Sequence, residues 1–291
     1  MRRAVPERSY RPGVIEFVQE TLLLLPFLFA TYLVLEAIEA KAGSALESFL
    51  ERARSVAPAA GALAGAIPQC GVSAAAASFY AGGVISVGTL IAVFLSTSDE
   101  LIPVLLSSRA PTALMVKIVG IKVACALGVG FVADGALSVL RHRRRAVSVH
   151  ELCEHSRCGC REHKGILVPA LIHTLEIFLF IVVISGAIEL CLHFFGEDCL
   201  NTLRLNRPVF GELAAGALGL IPNCAVSVAG AKLYLSGAMS SGALMASSFT
   251  GSGLGLLILF RTNRNLKENL AILLTVYVVG VLLGGLAGFL L

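Results

Sequence analysis

The chain has 291 residues, 56% of them hydrophobic and 14% charged, with a mean hydropathy of +0.84. A soluble domain carries roughly 25% charged residues, and no water-soluble fold of this length has enough interior to hide so much apolar side chain. A soluble fold is therefore excluded, and the bilayer is the expected solvent. The net charge of +4 is modest and its arginines are gathered, at Arg2, Arg3, Arg8 and Arg11 and again at Arg141, Arg143, Arg144 and Arg145. Basic residues beside apolar spans mark the cytoplasmic side and meet anionic lipid, so the lipid bilayer is the expected partner and nucleic acid is not.

In chain order, the first apolar segment covers residues 14–40. It exceeds the ~18–20 residues needed to cross a hydrocarbon core and lacks the flanks of a cleaved signal, so a retained span is expected. Glu36 lies near its end. An amphipathic connection follows at 47–54. Next comes a Gly/Ala-rich segment interrupted by Ile67-Pro68-Gln69-Cys70-Gly71-Val72-Ser73, then a hydrophobic stretch interrupted by Ser96-Thr97-Ser98-Asp99-Glu100. A span at 113–140 closes this first part. A polar linker occupies 141–164. Beyond it lie a span at 166–192 that contains Glu189, a connection at 197–207, and Ile221-Pro222-Asn223-Cys224-Ala225-Val226-Ser227. The last segments are an apolar run at 242–260 carrying Thr250-Gly251-Ser252-Gly253, and a closing span at 270–291.

This order repeats. Residues 65–98 overlay residues 219–252 without a gap, at an offset of 154, and Pro68, Cys70, Ser73, Tyr80 and Ser86 fall on Pro222, Cys224, Ser227, Tyr234 and Ser240. Shared apolar composition does not explain matched polar residues. The expected fold is an all-α polytopic membrane protein of two pseudo-symmetric repeats, 13–140 and 165–291, with broken or re-entrant helices at the centre. Matched Gly/Pro interruptions in hydrophobic segments point to a transporter binding site at the repeat interface. Multi-pass insertion in the cell (inner) membrane is expected. The reading is compatible with a homo-oligomer and leaves open whether the repeats are parallel or inverted.

The chemistry follows from the breaks. Proline removes a backbone donor and unsettles the residue before it, and polar backbone freed in this way must be buried in protein or line a wet cavity. Gln69 and Asn223 add amides there, Cys70 and Cys224 thiols, and Ser73 and Ser227 hydroxyls. Asp99 and Glu100, beside Ser98 and opposite Ser252, are adjacent carboxylates in apolar sequence. Charges in that setting are functional candidates by default. Oxygen donors from Asp99, Glu100, Gln69 and Asn223 suit a divalent cation such as manganese. Lys117 has the reach to snorkel to an interface. Lys122 and Asp134 lie deeper, where they could neutralise charge inside the bundle, and the lysines suit an anion instead. In the linker, Cys153, His155, Cys158, Cys160 and His163 form a second candidate metal site, alongside the reading of a plain charged linker. No P-loop or nucleophile elbow is present, and neither an enzyme nor a cofactor is implied.

At the duplicated Ile-Pro-Gln-Cys-Gly-Val-Ser and Ile-Pro-Asn-Cys-Ala-Val-Ser motifs, with Ser-Thr-Ser-Asp-Glu after the first, the chain resembles the ten-span heavy-metal exporters. Members of that family are labelled manganese transporters or arsenic efflux permeases. The resemblance implies efflux of a metal ion or metalloid, with Gln69, Cys70, Ser73, Asp99, Glu100, Asn223, Cys224 and Ser227 as the matching residues. Three readings stand at this point. They are a secondary exporter of a divalent cation, an export permease for arsenite, an organoarsenical or an anion, and a membrane metal sensor or scaffold.

Overall fold

The computed structural model describes residues 56–67, 70–97, 101–108, 110–140, 207, 209–222 and 224–291, with helical positions among residues 25–33 and 167–183. The described residues hold ten bounded helices and no strand. They are α1 (Ala57–Gly65), α2 (Cys70–Ala81), α3 (Val87–Ser96), α4 (Leu101–Ser107), α5 (Thr112–Leu140), α6 (Phe210–Gly219), α7 (Cys224–Leu235), α8 (Ser241–Thr250), α9 (Gly255–Thr262) and α10 (Leu266–Gly288). Among the described residues, three stretches are long and apolar enough to cross a bilayer: Thr112–Ala136, Leu266–Gly288, and Ser241–Thr262, the last being α8 and α9 in tandem. The spans expected at 113–140 and 270–291 are thus α5 and α10. The apolar run at 242–260 is interrupted at Gly251-Ser252-Gly253, where the sequence placed a break; Gly253 has φ 55, a conformation that suits glycine. The expected spans at 14–40 and 166–192 are described only at scattered helical positions. The linker and the connection at 47–54 lie outside the described residues.

Local chemistry sets the short helices. α2 and α7 end in turns whose glycines, Gly83 (φ 74) and Gly237 (φ 78), occupy the left-handed region. Six-to-one bonds close these turns, from Val84 N to Phe79 O at 2.8 Å and from Ala238 N to Leu233 O at 2.9 Å, the glycine-terminated helix end. Three residues later Ser86 and Ser240 cap α3 and α8. Their hydroxyls accept from Thr89 N and Ala243 N, at 3.1 Å each, and so satisfy donors that a helix start leaves free.

Packing between helices relies on small residues, as expected where lipid removes any hydrophobic drive for helix association. Gly280, Gly284 and Gly288 line one face of α10 against Thr250, Ala246 and Gly242 of α8. A methyl at Gly284 would stand 2.4 Å from the Ala246 backbone, and one at Gly288 2.6 Å from the Gly242 Cα. Between α3 and α5, a Cβ on Gly130 would approach Ala92 Cβ to 2.9 Å. The opposite side of α10 exposes Leu266, Leu270, Leu274, Val278, Leu282 and Leu286, an apolar stripe at every fourth position. Leu167, Leu171, Leu175, Leu179 and Val183 repeat that spacing. Such stripes are stable against acyl chains and not against water. The chain is a multi-pass membrane protein.

The core lies where early and late helices interlock. α2 packs on α9, α7 on α4, and α3 on α8. Leu90, Phe94 and Leu95 of α3 are buried in one cluster with Leu244, Met245 and Phe249 of α8. Gly255 at the start of α9 lets this happen: a side chain there would meet Phe94 Cε1 at 2.6 Å and the Ser73 carbonyl at 2.8 Å.

Candidate functional site

α5 carries two charges into the bundle, and the antiparallel α3 explains both. At the start of α3, Asp134 accepts from the Ser86 hydroxyl at 2.6 Å and from Gly88 N at 2.8 Å. At its end, the Lys122 ammonium donates to the Thr97 carbonyl. Twelve residues of α5 span about 18 Å, matching the length of α3 with its caps. A helix dipole favours negative charge at its start and positive charge at its end, so α5 supplies the complementary sign at both. Lys122 and Asp134 are therefore not partners of each other. Each answers one end of the same helix.

Lys122 also reaches further. It is fully buried, and its Nζ donates to the Ser248 carbonyl at 2.7 Å and the Ser248 hydroxyl at 2.8 Å. Its Nζ lies 5.8 Å from the centre of the Phe249 ring, within cation–π range. Ser248 belongs to the last turn of α8. The carbonyl ends of α3 and α8 therefore converge on one ammonium.

A cavity of about 10 Å³ adjoins this point, lined by Thr97, Leu101, Ser227, Gly230, Leu244, Ser247, Ser248 and Gly251. That volume holds about one water molecule. Its wall is polar through hydroxyls and backbone, and it draws on the ends of α3 and α8, the start of α4 and the body of α7.

The residues expected from sequence fall into three groups. Ser227 lines the cavity. Ser73 is buried on α2, against the start of α9, and Ser252 is 1% exposed in the α8–α9 break. The Ser252 hydroxyl has no hydrogen-bond partner among the described residues. Cys70 and Cys224 are the first helical residues of α2 and α7. α1 ends at Gly65, ahead of the first proline motif, and α6 at Gly219, ahead of the second; Pro68 lies outside the described residues. Gln69, Ser98, Asp99, Glu100 and Asn223 lie outside the described residues, as do Cys153, His155, Cys158, Cys160 and His163. Among the described residues, no three His, Cys, Asp or Glu side chains cluster to hold a metal.

Thr97, Ser247 and Ser248 were not singled out by sequence, although Thr97 stands inside the polar string that was. Ser248 carried a signal too, as a hydroxyl within an apolar run just before the Thr250 break.

No curated protein and no solved structure matches this chain. The model of one family, described as "Putative, 10TM heavy-metal exporter", matches residues 15–208, ending just before α6. That match spans more than half of the chain and agrees with its apolar membrane-spanning helices: the chain belongs to this family of ten-span membrane proteins.

Proposed function

We propose that this protein is a secondary transporter that exports a heavy-metal ion across the inner cell membrane, with a divalent cation such as manganese as substrate. The observation that carries the reading is the meeting of two carbonyl-terminated helix ends, α3 at Thr97 and α8 at Ser248, on a polar cavity. Negative dipole ends and protein oxygens favour a dehydrated cation. Asp99 and Glu100 follow Thr97 directly in sequence and would add the charge a divalent ion needs.

The two-repeat architecture belongs to the same proposal. Its support is that α2 and α7, Cys70–Ala81 and Cys224–Leu235, begin and end at one offset, as do α3 and α8, Val87–Ser96 and Ser241–Thr250. The Ser86 and Ser240 caps and the Gly83 and Gly237 turns recur at that same offset. Two such units meeting at a broken centre would let one bundle rock against the other around the substrate.

A second reading has its own observation. Cys70 and Cys224 both sit at helix starts beside the breaks, and Lys122 places positive charge at the centre, which suits arsenite or another metalloid species. Proteoliposome flux across manganese, zinc, cadmium, arsenite and phosphate tests both. Manganese flux abolished by Asp99→Asn/Glu100→Gln supports the cation reading. Flux confined to arsenite and lost with Cys70→Ser/Cys224→Ser overturns it in favour of the second, and no flux of any of these overturns both.

A further inference from the structure

The cation reading leaves one group unexplained. A fully buried lysine stands at the very point where a cationic substrate would bind. Lys122 bonds the Thr97 carbonyl and both oxygens of Ser248, and Thr97 and Ser248 are also cavity-lining residues. Its position on α5 gives it a structural reason to meet Thr97, because it ends α3 as Asp134 begins it. That reason does not account for Ser248, which belongs to another helix from the far part of the chain. Val276, at the position of α10 that corresponds at the 154-residue offset, is also fully buried and carries no charge. A single ammonium thus serves two helix ends.

Resting on the cation reading, we infer that Lys122 is a specificity-determining residue, a tethered stand-in for the substrate ion. Its ammonium occupies the oxygens of Thr97 and Ser248 while the cavity holds no metal, and holds α3 and α8 together. An arriving divalent cation takes those oxygens and displaces the ammonium, because two positive charges cannot share them in so dry a site. Each helix end then keeps a cation throughout, first the lysine and then the metal, and is never left with bare carbonyls. The ion binds against an internal competitor, so its apparent affinity is lowered by the fraction of time the lysine is in place. Binding stays weak enough for release.

The test uses the full chain in nanodiscs, as wild type and as Lys122→Gln, Lys122→Met and Lys122→Arg. Its readouts are equilibrium binding of radiolabelled manganese and the rise in Tm that manganese produces. Removing the ammonium is expected to tighten manganese binding by about tenfold or more and to enlarge the manganese-dependent rise in Tm. Lys122→Arg, which keeps the charge, is expected to bind as weakly as wild type. If the neutral variants are unfolded when purified without metal, manganese present during extraction is expected to restore a monodisperse protein, since the ion replaces the missing charge. Neutral variants that bind manganese no tighter than wild type, or that manganese does not restore, overturn the inference. Manganese flux by the wild-type protein separates the two failures: flux with no gain in affinity sinks only the role of Lys122, whereas no flux sinks the cation reading beneath it.

Discussion

Tyr80 donates a 2.6 Å hydrogen bond to Oε1 of Glu268, a residue 188 positions further along the chain, and both side chains are buried. The bond ties the end of α2 to the first turn of α10, beside the Asn265 cap of that helix. A buried carboxylate without this donor is costly. Tyr80→Phe is expected to lower stability by about 1.5–3 kcal/mol, seen as a lower Tm of the detergent-solubilised protein. An unchanged Tm would mean that the contact contributes nothing.

Asp134 makes a second, separable prediction. Its carboxylate accepts from Ser86 and Gly88 at the start of α3, joining a cap to a favourable dipole. Asp134→Ala is expected to cost about 1–2 kcal/mol, and Asp134→Asn less, because one acceptor oxygen remains. Thermal unfolding of the two variants side by side measures the difference.

Two neighbouring glycines on α10 offer an internal control. A Cβ at Gly284 would press to 2.4 Å on the Ala246 backbone, whereas one at Gly285 meets nothing within 4 Å. Gly284→Ala is expected to destabilise by about 1–3 kcal/mol. Gly285→Ala should be neutral, or stabilising by up to about 1 kcal/mol through helix propensity. Equal effects would contradict the close α8–α10 packing.

Much of this arrangement was legible before any coordinates. Uninterrupted apolar length announced α5 and α10, and Pro222 and Gly251-Ser252-Gly253 announced helix interruptions, because those residues act on their own backbone. Lys122 was legible as a deep charge and Ser227 as a hydroxyl one turn beyond the second proline motif. Their surroundings were not. The meeting of Lys122 with Ser248 joins residues 126 positions apart, and the Tyr80–Glu268 bond spans more. Such contacts depend on how helices interlock, which no local pattern encodes. Asp134 stood out as a charge, yet its work at the α3 start depends on the antiparallel docking of α5.

The central claim is that the solute crosses at the cavity between the ends of α3 and α8. The most direct measurement is manganese flux in proteoliposomes carrying Ser227→Leu, which would fill a cavity of about 10 Å³, with Gly285→Ala as the packing control. The account predicts flux lost in Ser227→Leu protein that remains folded, with a Tm lowered by the overfilled cavity, and retained in Gly285→Ala. Undiminished flux through a folded Ser227→Leu protein would contradict it.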